Sequence, residues 1–194
     1  MQQHKKIILA SKSPRRQTLL KELNVEFEIR LKEVDEIYPE HLRGVEVPVF
    51  LSKLKGEAFK NDLKDDEVIV TSDTIVCLND AILGKPLDRN DAIAILKALS
   101  GKMHHVHTGV TIQQKDSSYT FSESTEVYFK KLADAEITYY IDTFKPFDKA
   151  GAYGIQEWIG YIGIEKINGC FYNVMGLPLF RLHEEFLRLG VVSL

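Results

Sequence analysis

The sequence predicts an α/β fold, a mixed twisted sheet with helices flanking it. Three observations carry this expectation. In the first half, short apolar, β-branched runs alternate with stretches of helical spacing. In the middle, two long β-type stretches surround a polar turn. An amphipathic helical pattern closes the chain. Strand–helix units followed by antiparallel strands and a helix fit a single sheet with helices packed on it.

Lys5–Ala10 is an apolar run ending in Ser11-Lys12-Ser13-Pro14 and reads as a buried strand. Pro14–Asn24 then carries Leu19, Leu20 and Leu23 on one helical face, with Ser13 at the N-cap and Pro14 at the first helical position. Phe27–Leu31 reads as a second strand, and Pro48–Lys60 as a helix with Phe50, Leu51, Leu54 and Phe59 apolar. Val68–Val70 is a strand running into Thr71-Ser72-Asp73-Thr74, and Ile75–Leu78 continues extended to a turn at Asn79-Asp80. Asp91–Leu99 is helical and stops at Ser100-Gly101. His105–Gln113 and Tyr119–Phe129 are antiparallel strands around Lys115–Ser118. Asp134–Phe144 is a helix with an acidic start, as the helix dipole favours. Tyr161–Ile167 and Phe171–Val174 flank Asn168-Gly169 and predict a hairpin. Leu177–Leu189 is the closing helix.

No linker or repeat divides the 194 residues, so one domain spanning 1–194 is expected. A hydrophobic content of 44% supports a sizeable core, and 27% charge with ten phenylalanines argues against disorder. Twenty-five basic and 28 acidic residues leave a formal charge of −3, so no nucleic-acid partner is expected. No apolar run suits a signal peptide or a bilayer span, which predicts a cytoplasmic protein without a membrane partner. Cys77 and Cys170 lie in no metal or redox motif and read as two buried, reduced thiols.

Four groups of residues carry candidate chemistry. Ser11-Lys12-Ser13-Pro14-Arg15-Arg16 puts hydroxyls and two guanidinium forks at a helix N-terminus, where free N–H groups and the helix dipole attract anions. The bland alternative is a solvated helix start. Asp73 falls at the carboxyl end of a buried strand, where α/β folds place ligands and a carboxylate can hold a divalent cation or take a proton; a turn or cap carboxylate is the competing reading. Asp35-Glu36 is a second acidic pair. Lys55 and Lys85, the latter in Gly84-Lys85-Pro86, are point charges suited to phosphate. In Lys149-Ala150-Gly151-Ala152-Tyr153-Gly154-Ile155-Gln156, small residues allow close backbone approach to a ligand, and Gln156 offers a base both a donor and an acceptor. His104, His105 and His107 look like a metal cluster, but strand alternation points His104 away from the other two.

Taken in order along nearly the whole chain, these segments resemble the Maf family of nucleoside triphosphate pyrophosphatases. The resemblance rests on Leu9–Arg16, Asp35-Glu36, Leu51–Lys55, Ser72-Asp73-Thr74, Gly84-Lys85-Pro86, Leu99–His104, Asp148–Gln156 and Asn173–Pro178. It implies a fold like that of inosine-triphosphate pyrophosphatases, with two lobes around a cleft, and water attack at the α-phosphorus of a nucleoside triphosphate. It also implies Mg²⁺ or Mn²⁺ and a possible homodimer. By position, Asp73 matches the family's proton acceptor, and Glu36 a second acidic site; both are implied metal ligands. Lys55 and Lys85 match its phosphate lysines, Ser11, Arg15 and Arg16 its phosphate loop, and His104 a structural histidine. Arg15, Thr74 and Gln156 match the branch acting on dTTP and UTP, as opposed to one preferring 7-methyl-GTP. The alternatives are a pyrophosphatase for 7-methyl-GTP or another modified nucleotide and, from a rival class, a non-enzymatic nucleotide-binding division regulator. Three positions depart from the family pattern: Lys12, Lys145 where Glu is frequent, and Glu157 where Gly is usual. A side chain at 157 is expected to reshape the base pocket.

Overall fold

The computed structural model describes all 194 residues. In chain order the elements are β1 (Gln2–Gln3), β2 (Lys6–Leu9), α1 (Pro14–Glu22), β3 (Phe27–Ile29) and α2 (Glu46–Glu57). Then come β4 (Glu67–Leu78), β5 (Ala81–Leu83), α3 (Arg89–Leu99), β6 (Met103–Gln113) and β7 (Ser118–Phe129). The chain ends with α4 (Asp134–Phe144), α5 (Trp158–Gly163), β8 (Ile164–Asn168), α6 (Phe171–Val174), α7 (Leu179–Arg188) and β9 (Val192–Ser193). The main sheet runs β3-β2-β4-β6-β7-β8, and β5 pairs with β4. β2 is parallel to both its neighbours, whereas the remaining pairs are antiparallel, so the sheet is mixed as predicted.

β4 organises the molecule. Its first part pairs with β2 from Glu67 to Val70, and its last part pairs with β5 from Val76 to Leu78. Along its other edge it pairs with β6 from Ile69 to Cys77. Side chains alternate across it. On one face, Val68 and Val70 join a core with Leu19 and Leu20 of α1 and Leu182 and Phe186 of α7. On that same face Val76 joins a second core with Leu96 of α3, Tyr140 of α4 and Ile159 of α5. The two cores form two lobes, and the polar Ser72 and Thr74 lie between them in register. The opposite face is covered by α2, with Val47 and Leu51 packed on Ile75 and Cys77.

α2 sits unusually close to the sheet because the residues between them are small. A Cβ added at Gly109 of β6 would fall 2.2 Å from the Pro48 carbonyl oxygen. The Thr71 hydroxyl donates to the Ser52 carbonyl at 2.7 Å, and Thr111 donates to the Ser52 hydroxyl at 3.1 Å. These buried bonds fix the helix along the strand as well as above it.

Three sequence expectations are corrected. Val68–Val70 and Ile75–Leu78 are one continuous strand, so Asp73 lies in mid-strand and not at a strand end. The polar run Thr71–Thr74 stays extended because Thr71, Ser72 and Thr74 all find buried hydrogen-bond partners. The predicted hairpin does not form: β8 pairs with β7, and Phe171–Val174 is a helical turn. The Gly169 turn is present, but Thr125 of β7 takes the place of a partner strand. Its hydroxyl accepts from the Cys170 N–H at 3.0 Å and donates to the Cys170 carbonyl at 3.1 Å. Cys77 is buried as expected, whereas Cys170 is only half-buried. No helix is long and apolar enough to cross a membrane.

Candidate active site

Asp73 points toward α2, and there it meets Lys55. The Lys55 ammonium donates to Asp73 Oδ1 at 2.7 Å and lies 3.1 Å from Glu36 Oε1. Two carboxylates 37 positions apart in sequence thus converge on one nitrogen. Lys55 and Asp73 are largely buried, whereas Glu36 projects from the irregular segment after β3 and is more than half exposed. Each carboxylate keeps a second oxygen without a protein hydrogen-bond partner, so two acidic side chains share one ammonium.

α1, with the segment that leads into it from β2, packs on the face of β4 opposite α2. Ser13 holds the N-cap position but makes no side-chain cap bond. The nearby Ser11 hydroxyl accepts from the Ser13 N–H at 3.2 Å, shaping the loop. First-turn N–H groups of α1 therefore stay available to an anion. Arg15 is partly exposed and its NH1 donates to Asp148 Oδ2 at 2.7 Å.

Arg16 behaves differently from a phosphate hand. Its Nε donates to the Gly176 carbonyl at 2.8 Å, NH1 to the Ser72 carbonyl at 2.9 Å and NH2 to the Thr74 hydroxyl at 2.9 Å. Every nitrogen is committed to protein. Burial pulls the guanidinium pKa below its usual value, with Asp73 and Glu36 opposing and Arg15 adding to the fall. From Thr74 the polar band continues to Thr108 at 3.0 Å, and Thr108 donates to the Asn173 carbonyl at 3.2 Å. Asn173 in turn donates to Val106 and Thr125. Neither Thr108 nor Asn173 stood out as a single residue in the sequence, though Asn173 opens one of the quoted segments.

Lys85 is exposed in the loop after β5, and the Gly84 carbonyl before it accepts from the Gly151 N–H at 3.0 Å. That bond ties the lysine's loop to the segment ending in Gln156. The Gln156 side-chain oxygen is buried and has no hydrogen-bond partner. A buried acceptor left empty costs free energy unless something fills it.

Glu157, next along the chain, turns its side chain to Tyr140 and Lys149. Its carboxylate accepts a short hydrogen bond from the Tyr140 hydroxyl and lies 3.0 Å from the Lys149 ammonium. Burial raises the Tyr140 pKa, and the bond to Glu157 raises it further. Lys149 also donates to Asp148 Oδ1 at 2.8 Å. Burial pushes the Asp148 pKa up, but its bonds from Lys149 and Arg15 outweigh this and hold it below the usual carboxylate range.

The three histidines are split as alternation requires. His104 is buried against Phe129 and Tyr153, bonds the Tyr153 hydroxyl at 2.8 Å, and burial lowers its pKa to about 4. His105 and His107 stack on the other face, 5.5 Å apart.

Two cores on one face of a mixed sheet, a helix N-terminus without a side-chain cap and a lysine shared by two carboxylates characterise this α/β protein. The chain belongs to the Maf-like protein family, whose model matches residues 6–189. It is 52% identical over 181 residues to the dTTP/UTP pyrophosphatase of Parabacteroides distasonis, covering 93% of this chain and 94% of that one. It is 51% identical over 178 residues to the dTTP/UTP pyrophosphatase of Flavobacterium psychrophilum, covering 92% and 91% of the two chains. In fold it is similar to the structure of the Staphylococcus aureus Ham1 protein, with a TM-score of 0.54 at 14% identity over 96% of this chain and all of that one.

Proposed function

We propose that this chain is a nucleoside triphosphate pyrophosphatase that hydrolyses dTTP and UTP to the monophosphate and pyrophosphate. The observation that carries the reading is the Asp73–Lys55–Glu36 cluster, whose two carboxylates act electrostatically on Arg16 in the first turn of α1. Relatives about half identical over nearly their whole length, named dTTP/UTP pyrophosphatases, support the substrate.

In this reading the Lys55 bond to Oδ1 fixes the Asp73 rotamer, leaving Oδ2 to orient a water and accept its proton. Cleavage moves negative charge onto the leaving pyrophosphate, so cations placed in advance lower the barrier. Lys55 and Lys85 supply such charges, and Arg15, Ser11 and the α1 N-terminus hold phosphate oxygens. Arg16 is assigned here to positioning: it holds the Ser72 and Thr74 flanks of Asp73. Gln156 presents its unpaired oxygen to the N3–H of thymine or uracil, with its amide N–H₂ available to O4. A base that cannot make those bonds leaves a buried acceptor empty, which is a strong basis for discrimination.

A divalent cation suits this donor set. No cluster of three or more histidine, cysteine or acidic side chains forms a closed cage. Asp73 and Glu36 meet at the Lys55 ammonium through one oxygen each, and their second oxygens would suit Mg²⁺ or Mn²⁺ completed by water and substrate phosphates. When bound, such an ion would neutralise phosphate charge and acidify water.

The test is pyrophosphate release from dTTP, UTP, CTP, GTP and 7-methyl-GTP, with Mg²⁺ or Mn²⁺ and with chelator. Metal-dependent release favouring dTTP and UTP is expected. Release favouring 7-methyl-GTP would overturn the base assignment, and no release from any of them would overturn the enzyme reading.

A further inference from the structure

Glu157 stands where the family resemblance leads one to expect glycine, and its carboxylate is taken up by the interior. Gly154 makes room for it: a Cβ there would lie 2.8 Å from the Glu157 carboxyl carbon. The Tyr140 hydroxyl accepts from the Gly154 N–H at 3.0 Å while donating to Glu157, so both hydrogen-bonding roles of the phenol are used. The other carboxylate oxygen meets Lys149, whose side chain is only 9% exposed. Such a buried ammonium needs a fixed anion, and Asp148, at 56% exposure, is too solvated to serve alone. From Lys149 the chain of alternating charge runs to Asp148 at 2.8 Å and from Asp148 to Arg15 at 2.7 Å.

Arg15 lies in the first turn of α1, far in sequence from the other members. Its side chain has one ionic anchor, Asp148, and Asp148 lies in a short 3-10 turn that α1 does not touch through the backbone. Asp148 is steadied in turn by Lys149, and Lys149 by Glu157.

We propose that Glu157 is a positioning residue that sets the Arg15 guanidinium through Lys149 and Asp148, with Tyr140 clamping its carboxylate. This rests on the reading that Arg15 binds substrate phosphate. Without Glu157 the Lys149 ammonium is left underpaired and draws Asp148 inward, and Arg15 loses its orientation. The group acts on binding and not on proton transfer, so the effect falls on KM.

The experiment is a double-mutant cycle with Glu157→Ala, Arg15→Ala and both together, using dTTP hydrolysis and urea unfolding. Glu157→Ala is expected to raise KM on the order of tenfold, the size of one charge-assisted contact, with kcat changed less than about threefold. In the Arg15→Ala background it is expected to raise KM no further. Glu157→Gln, with one carbonyl oxygen for two donors, is expected to fall between wild type and alanine. A loss that is purely structural would lower the active fraction and leave KM unchanged. Unchanged KM, or an equal rise in both backgrounds, overturns the relay. Should Glu157→Ala fold poorly, Tyr140→Phe removes only the clamping hydroxyl and is read the same way. In urea, the drop in unfolding midpoint from Glu157→Ala is expected to shrink once Arg15 is alanine; equal drops overturn the relay whether or not wild type turns over triphosphates. Coupling in urea without any wild-type turnover overturns the functional reading alone.

Discussion

Replacing Gly109 with alanine tests whether the closeness of α2 to the sheet is what places Lys55. The added Cβ would lie 2.2 Å from the Pro48 oxygen, 2.4 Å from the Pro48 carbon and 2.6 Å from the Val49 nitrogen. All three are backbone atoms of the first turn of α2, so no side-chain rotation relieves the clash. A carbon against a carbonyl oxygen settles near roughly 3.3 Å, so α2 must retreat by about 1 Å. Overpacking of this kind costs about 1–3 kcal/mol, and stretching the Thr71–Ser52 bond of 2.7 Å adds about 1 kcal/mol. The expected loss is therefore about 2–4 kcal/mol, read as a lowered urea midpoint. Lys55 rides on the same helix, two turns on. A shift of about 1 Å in a catalytic group costs up to roughly 10²-fold, and the flexible lysine stem absorbs part of it. Turnover of dTTP in the folded fraction should fall about 10- to 100-fold. An alanine variant with a wild-type urea midpoint and turnover within about threefold would refute the claim that Gly109 sets the Lys55–Asp73 contact.

Asp73→Asn should fold normally and lose roughly 10²–10⁴-fold in turnover, the usual contribution of a general base; near-normal pyrophosphate release would remove Asp73 from the mechanism. Gln156→Ala should flatten the ranking of triphosphates more than it lowers the best rate, and an unchanged ranking would show that another group reads the base. Glu67 is nearly fully buried against Arg30, whose bidentate contact, working against burial, lowers its pKa from 4.5 to about 2. A depressed carboxylate stabilises the fold above its unfolded pKa, and that stability disappears as pH falls from about 4.5 to about 2. Glu67→Gln should thus cost about 2 kcal/mol at neutral pH, discounted for the partly exposed arginine, and nothing near pH 2. Urea midpoints that run parallel across this pH range would contradict the assignment.

Elements with long periodic stretches were legible, because local pattern and tertiary packing agree there. β6, β7, α3, α4 and α7 fall within a few residues of their expected bounds. The middle of β4 was not legible: Thr71-Ser72-Asp73-Thr74 has the composition of a loop, and only partners on α2, β6 and the segment around Gly176 make it a strand. The Asn168-Gly169 signal named a turn correctly, but no local pattern shows that Thr125, over 40 residues away, satisfies the backbone after it. For the site, residue types were readable and partnerships were not. Asp73, Lys55 and Glu36 were each suspect carboxylates or lysines, yet their convergence depends on α2 crossing β4 at a distance set by Gly109. Arg16 looked like a phosphate ligand beside Arg15, because sequence cannot distinguish a guanidinium facing solvent from one facing carbonyls.

The position of the candidate site follows from how β4 is paired. Its edge facing β2 is served by that strand up to Val70, whose carbonyl accepts from the Ala10 N–H at 2.9 Å. β5 takes over the same edge at Val76. Between them the strand has no neighbour, and by alternation the next carbonyl on that edge belongs to Ser72. A buried carbonyl without a donor is costly, and Arg16 supplies the donor while reaching Gly176 and Thr74 with its other nitrogens. A lysine could serve one of these acceptors well, whereas the planar fork serves three in different directions. The missing strand segment opens the sheet beside Asp73, and a guanidinium heals the backbone without refilling the space a strand would take. In the proposed reading, an interrupted sheet edge is thus what gives a mid-strand carboxylate access to the triphosphate, and Arg16 is what makes the interruption stable.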